Sequence, residues 1–473
     1  MIRSKRATLL AGMVAVGTAI SGVGSAFAQD ASGSPAAAAV GVPTTPTGYT
    51  ELDQALGADK PFAGKRVTMQ TQWIGGEGDN FSEAIAGFEA ATGIDITVAE
   101  VPSGQHETLV NVSLNGGAAA DIIQLAQPAA INTYGAQGLI KDIGTILDTT
   151  KLSAELPTGA YTTDGTIWAI PYRGGLKSVV WYPIKAFEAK GYEVPETWDE
   201  LVALSDKIVA DGGVPWCVGI DAGPATGWII TDWIEDVMIR TVGEEKYLQW
   251  ISHELPFSSP EVKNAFDMVG KMLFTPGYVY GGSTAILATT QTAAMDPMFN
   301  EDMANPGCWM QKQSDWYSPD FNPDKKASSD PTYQSKFVVG EDLGLFYFPV
   351  IDPEIGNPVL YAGDAFMVTK DTPEVKAVAQ FLATPASIET WVKKGVIALN
   401  NTVPPEWTAG NYKLETAADL IGNATFLAFD GGDVMPPSVG AGSFWTGTVD
   451  WISADGTNTD AVLEAIDASW PTE

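Results

Sequence analysis

A two-lobed α/β protein with a mostly parallel sheet in each lobe is the fold class this sequence predicts, on three observations. The chain has 473 residues, and the roughly 430 of them with structure-forming patterns exceed what one hydrophobic core usually serves. The structured part opens strand, loop, helix, strand, the βα unit of a mostly parallel sheet. Strands and helices then alternate to the end with no repeat of about 20–50 residues.

Residues 1–28 read as an export signal. Arg3, Lys5 and Arg6 form a basic start, Leu9 to Ile20 a short apolar run, and Ala26-Phe27-Ala28 the small residues a signal peptidase accepts before Gln29. No cysteine stands at that point to carry a lipid. Residues 29–61, rich in Ala, Gly, Ser, Pro and Thr, are expected to be a flexible leader. Losing the three basic residues of the signal takes the formal charge from −32 to −35, which repels nucleic acid and anionic lipid. No later run reaches about 18 apolar residues, so no membrane span is expected after the signal.

Lys65 to Thr71 alternates as a first strand, Asn80 to Thr92 carries Phe81, Ile85 and Phe88 on one helical face, and Ile94 to Val101 alternates again. Ligands of open α/β sheets bind beyond the carboxyl ends of strands, where the Trp73–Asp79 loop falls. No GxGxxG pattern or Walker lysine follows its GGEG run, and its acids repel phosphate. An indole face and carboxylates suit a sugar instead: Trp73 would cover C–H groups and Asp79 accept hydroxyl protons. Gln105 to Leu114 and Pro128 to Gly138 read as helices. Val214 to Ile220 reads as a strand, and Trp228 and Trp233 fall in the helix after it, Trp228 at the start beside a Gly/Pro loop and Trp233 as packing.

Between Gly165 and Leu204 lies an aromatic, β-branched strand (Lys177 to Tyr182) closed by Pro183. A short helix ending at Gly191 follows, and then Pro195-Glu196-Thr197-Trp198-Asp199-Glu200-Leu201, with Thr197 and Glu200 spaced as a capping box. This order resembles the extracellular solute-binding proteins of sugar ABC transporters, the maltose-binding-protein class. The string PWCVG, TGW, TDWIED resembles the α-glucoside-binding branch in particular. The likeness continues through GLIKDIGTIL, the Leu343–Pro349 and Tyr361–Val368 strands, and Gly432-Asp433-Val434-Met435-Pro436-Pro437 with Gly442-Ser443-Phe444-Trp445. It spans nearly all of residues 62–470.

The resemblance implies a two-lobed periplasmic-binding-protein fold of type II with a hinge between the lobes. The N-terminal lobe would comprise 62–172 plus 343–395 and the C-terminal lobe 173–342 plus 396–473. It also implies Asp121 at a strand end as a ligand contact, with Gln124 beside it. Tyr172 and Arg173, where the chain leaves the first lobe, are hinge or ligand candidates, and Trp228, at a helix start past a Gly/Pro loop, is a candidate to stack on sugar. Asp364, where the family commonly has glycine, and Phe444 with Trp445 complete the set. Asp121 could equally cap a turn, Arg173 could hold an acid rather than a sugar, and Phe444 and Trp445 could be core. Cys217 and Cys308, an even pair in an exported chain, invite a disulfide, and the family's own cysteine pattern is consistent with it. The two histidines are far apart in sequence, and no metal or cofactor is expected.

The function implied is capture of an oligosaccharide, an α-glucoside, and its delivery to ABC permease subunits. The protein would act as a monomer in the periplasm or on the outer face of the cell membrane. The alternative is a secreted glycoside hydrolase with paired carboxylates. Among 58 acids some such pair occurs by chance, and no nucleophile-elbow, metal or P-loop motif supports catalysis.

Overall fold

The computed structural model describes residues 40–299, 305–317 and 338–472. The export signal, the leader up to residue 39 and part of the irregular stretch before residue 338 lie outside the described residues. In chain order the first elements are α1 (Thr50–Leu56), β1 (Arg66–Thr71), α2 (Gly76–Thr92), β2 (Asp95–Glu100), α3 (Ser103–Asn115), β3 (Ile122–Leu125) and α4 (Pro128–Ala136). Then come β4 (Ile170–Leu176), β5 (Val179–Pro183), α5 (Trp198–Ala210), α6 (Trp228–Ile251), β6 (Gln311–Lys312) and β7 (Leu343–Tyr347). Further on lie β8 (Val359–Val368), α7 (Pro373–Leu382), β9 (Ile397–Ala398), β10 (Leu427–Phe429), α8 (Gly431–Val434) and α9 (Trp445–Ser453), and a helix over Thr459–Ala468 closes the described chain.

Two large cores, with two smaller clusters beside them, hold most of the buried side chains. One gathers Trp73, Phe81, Phe88, Phe366, Phe381 and Trp391. The other gathers Trp216, Trp233, Trp250, Phe348, Phe444 and Trp451. The first sheet runs β9-β4-β8-β3-β1-β2, with β10 added to β8, and the second is β6-β5-β7. The pairing corrects the expectation of a mostly parallel sheet in each lobe. β1 is parallel to β2 and β3, but β8 is antiparallel to both β3 and β4, and the second sheet is antiparallel throughout. The cause is the route of the chain. It leaves one core along β4 and returns along β8, so the two connecting strands lie side by side in opposite directions. β4 places Tyr172 in the first core and Leu176 against Val179 and Trp181; β8 runs from Leu360 in the second core to Phe366 in the first.

Glycines permit this close strand pair. Gly174 faces Gly363, and Leu399 lies over both: a Cβ on Gly174 would stand 3.0 Å from its Cδ2 and one on Gly363 2.9 Å from its Cδ1.

Local signals were met where they depended on neighbours in sequence. Thr197 Oγ1 accepts from the Glu200 amide (3.3 Å) and Glu200 Oε2 from the Thr197 amide (3.0 Å), the capping box that starts α5. Cys217 and Cys308 form a disulfide with Cα atoms 5.3 Å apart. Two expectations are corrected. The leader does not extend to residue 61: Tyr49, Leu52 and Ala55 are buried, and the Leu52 amide donates to Gln380 Oε1 of α7 at 2.9 Å. So few apolar residues give no readable period, yet they pack into the first core. Val214 to Ile220 is not a strand but a buried extended segment. It is held by isolated bonds, Trp216 N to Tyr278 O (2.8 Å) and Cys217 N to Met310 O (2.8 Å).

Candidate functional site

The connecting strands, α3, α4 and the start of α6 enclose a cavity of about 940 Å³, at the upper end of the range for small-molecule sites. From β4 comes Arg173, whose Nε pairs with Asp364 Oδ2 of β8 and whose Nη1 lies 3.0 Å from Glu77 Oε1 of α2. Gln124, at the carboxyl end of β3, donates through Nε2 to Asp364 Oδ1 (2.8 Å) and accepts from the Gln72 amide (2.9 Å). The guanidinium also lies 5.2 Å from the Trp73 ring and 5.1 Å from Trp391. Arg173 and Asp364 both reach the cavity wall, and each is oriented by partners behind it.

The opposite wall is built around Lys177, in the two-residue link between β4 and β5. Its Nζ pairs with Asp232 Oδ1 of α6 (2.8 Å) and with Asp430, and Trp228 lies above it at 5.2 Å. Trp228 and Trp316 are 6.0 Å apart at 30°, and Trp445 lines the same cavity. Asp430 caps the short helix α8 by accepting from the Asp433 amide (3.0 Å), and Glu235 accepts from the amides of Gly431 (2.7 Å) and Gly432 (2.9 Å). Asp433 reaches across to the first lobe, where its Oδ1 accepts from Gln127 Nε2 at 3.3 Å. Among the described residues no group of three or more His, Cys, Asp or Glu is placed to hold a metal ion.

Four carboxyls here surround one ammonium, all of them buried. Burial raises Asp232 to about 7 in spite of Lys177, with Asp430 adding to the rise. Burial, then Asp430, raises both Glu235 and Asp433 well above the usual carboxylate range. Ordinary carboxyls ionise near pH 4 in an unfolded chain, so at neutral pH the folded state binds more protons here. That contribution to stability is full below about pH 4 and is lost as pH rises through the folded values. The melting temperature of the ligand-free protein should therefore fall between pH 7 and pH 8.5, and fall less in Asp433→Asn. A flat wild-type profile in a buffered scan would contradict it. His106, which burial pushes below its ordinary value, acts only below about pH 6.5 and leaves this window untouched.

The residues expected from sequence divide. Arg173, Trp228, Asp364 and Trp445 line the cavity, and Gln124 stands directly behind Asp364. Trp73 is corrected to core: it is 0% exposed and packs on Phe81, Phe366 and Trp391, because α2 begins at Gly76 and the short turn sends the ring inward. Asp79 is exposed on α2 and away from the wall. Asp121 is at the amino end of β3, the far end from the cavity. There it accepts from the Thr68 amide and hydroxyl (2.8 Å each) and pairs with Lys370 (2.6 Å). Tyr172 is buried with its hydroxyl donating to Ser387 O (2.6 Å), and Phe444 is in the second core.

The wall residues not singled out from sequence include Gln72, Glu77, Lys177, Trp316, Asp430 and Asp433. Asp433 lies inside the quoted GDVMPP motif and Lys177 opens the quoted strand, so both were in view without a sign of their direction.

A two-lobed α/β protein with a deep, acidic and tryptophan-lined cleft between connecting strands is a solute receptor in form. The chain belongs to the bacterial extracellular solute-binding protein family, whose model matches residues 74–389. It is 34% identical over 418 residues to the alpha-glucosides-binding periplasmic protein AglE of Rhizobium meliloti, covering 86% of this chain and 87% of that protein. To the osmoprotective compounds-binding protein GgtB of Synechocystis sp. it is 33% identical over 422 residues, covering 86% and 93%. In fold it resembles the bacterial solute receptor AcbH, with a TM-score of 0.70 at 20% identity over 85% of this chain and 98% of that one. Among the described residues no helix is long and apolar enough to cross a membrane.

Proposed function

We propose that this protein captures a short α-glucoside, or a comparably hydroxyl-rich uncharged solute, in the cavity between its lobes and presents it to an ABC permease outside the cytoplasm. The observation that carries the reading is one cavity in which tryptophans from the second lobe face carboxylates from both lobes. Indoles cover the apolar face of a sugar ring, and carboxylates orient its hydroxyls. Both cations of the wall, Arg173 and Lys177, are paired with two carboxylates each, which disfavours an anionic ligand. The named ligands of AglE and GgtB are in keeping with this choice. Trp228, Trp445, Asp364, Arg173 and Asp433 are the contacts proposed, and the lobes would close about β4 and β8 as hinge. Nothing favours the hydrolase alternative: the family to which the chain belongs binds solutes.

A thermal-shift panel of α-linked disaccharides, monosaccharides, polyols and charged sugars tests the proposal. A true ligand at 100 times its dissociation constant adds about 2.7 kcal/mol to the folded state. No shift with any uncharged sugar, or turnover of a disaccharide to monosaccharide, would overturn it. Trp228 is only half-buried, and covering about 50–80 Å² of its face contributes about 1–2 kcal/mol. Trp228→Ala should weaken binding about tenfold or more with a small change in ligand-free melting. Trp445 is 7% exposed, so Trp445→Ala should lose both affinity and about 3–5 kcal/mol of stability. Calorimetric titration together with melting separates the two.

A further inference from the structure

Beyond the cavity wall itself, the two lobes touch at its rim. The first turn of α3 meets the turn Gly223–Ala225 of the second lobe, and Gly104, Ala222 and Pro224 all border the cavity. The approach is backbone on backbone. A Cβ built on Gly104 would fall far inside van der Waals contact distance of the Ala222 carbonyl oxygen, 3.0 Å from its carbonyl carbon and 3.4 Å from Pro224 Cδ. A flexible side-chain tip could move aside; this oxygen belongs to a turn braced at each step. Ala222 N donates to Thr226 Oγ1 (3.0 Å), Thr226 Oγ1 donates to Gly223 O (2.6 Å) and Gly223 N donates to Asp221 Oδ1 (3.1 Å). Asp221 is held in turn through its backbone to Thr289 and Gln291 (3.0 Å each). At its other end the turn reaches Gly227, whose φ of 120° lies against the backbone of Trp445. The rim contact is therefore stiff, and it is mechanically joined to an aromatic of the site.

Nothing within the first lobe requires glycine at 104. No positive φ is recorded there, and the position is helical, where glycine is a poorer residue than alanine. The requirement exists only when the lobes are together. We propose that Gly104 is the closure gauge of the receptor: the missing side chain lets α3 seat on the Ala222–Pro224 turn, and any side chain there holds the cleft ajar. Gln127 and Asp433, in contact across the cleft at 3.3 Å, report the same closure. The inference rests on the reading that solute is enclosed between the lobes, and its test has one arm that needs no solute.

In the first arm, affinity for the best sugar of the panel is compared in wild type, Gly104→Ala, Gly104→Leu and the control Gly159→Ala, whose added Cβ meets nothing within 4 Å. If the clash leaves about one molecule in ten able to close, the apparent dissociation constant rises about tenfold. The order expected is Leu above Ala above control. Ligand-free melting should stay unchanged or rise, and scattering at saturating sugar should show a larger radius for Gly104→Leu than for wild type. In the second arm, Gln127→Cys and Asp433→Cys are joined by a short bis-maleimide, which adds each thiol across a C=C bond without an oxidant; the native cysteines are bonded to each other and do not compete. Cross-linking should slow markedly with Gly104→Leu and not with Gly159→Ala. Equal cross-linking rates would overturn the gauge whatever the ligand proves to be, as would unchanged affinity and radius in Gly104→Leu. If the wild type takes no sugar while Gly104→Leu still slows cross-linking, the solute assignment fails and the gauge stands.

Discussion

Asp236→Asn should lower the stability of the protein by about 3–5 kcal/mol, the usual result of removing one partner from a buried ion cluster. Asp236 of α6 has no exposure and stands between two cations that have none or almost none, Lys312 Nζ at 2.8 Å and Arg240 Nη1 at 2.6 Å. Burial alone would raise its carboxyl, but Lys312 and Arg240 outweigh burial and hold it below the ordinary value. Its loss leaves two cations facing one another in a dry interior. The consequence spreads, because the cluster ties both passages between the lobes to one helix. Asp236 accepts from Ser178 Oγ, which itself accepts from Leu360 N (2.8 Å); Lys312 donates to Lys177 O (3.2 Å) and Arg240 to Phe348 O (3.1 Å). Urea unfolding should show the midpoint moving strongly. A shift worth less than about 1 kcal/mol would mean that water or relaxation replaces the carboxylate, as at exposed pairs.

Cys217→Ser with Cys308→Ser should cost a comparable amount. The bond closes a loop of 91 residues in sequence separation, for which the chain-entropy account gives about 4–5 kcal/mol, with losses of about 2–5 typical on removal of a native bridge. The site gives a second reason for a large effect. Cys217 lies in the extended segment that has only isolated backbone bonds, and both cysteines are buried beside Val179, Trp181 and Phe299. Paired melting curves with and without a strong reductant check it. Equal curves after proven reduction would show that packing alone holds the segment.

How much of this was legible from residue order depended on how far apart the interacting groups stand. The capping box of Thr197 and Glu200, the β1–α2–β2 unit and the helix opened by Pro128 are made by atoms within a few residues of each other. Their patterns are therefore complete in a short window. The family motifs extended that reach to the two-lobed architecture, to the disulfide, and to Arg173, Trp228, Asp364 and Trp445 at the cleft.

Direction is what no window contains. Trp73 and Trp228 each stand beside glycines at the start of a helix, yet one ring enters a core and the other faces the cavity. The difference is whether Phe366 and Trp391, some 300 residues away, already occupy the space beneath. Asp121 and Asp433 were both motif acids; the end of the strand on which Asp121 stands took it out of the site, and the capping of α8 by Asp430 turned Asp433 into it. The sense of strand pairing was equally beyond reach, since β4 and β8 become neighbours only because the chain returns through the gap by which it left.

The sequence by itself determined that this is a strongly acidic, two-lobed solute-binding protein, because composition, local hydrogen bonding and motif order are properties of short stretches; the pairing of its two cysteines it only invited. Tertiary structure alone decided which tryptophans meet solvent, how four carboxyls come to share Lys177, and why residue 104 has no side chain. Each of those is settled by atoms brought together from segments tens to hundreds of residues apart, where packing and desolvation rather than local preference set the energy.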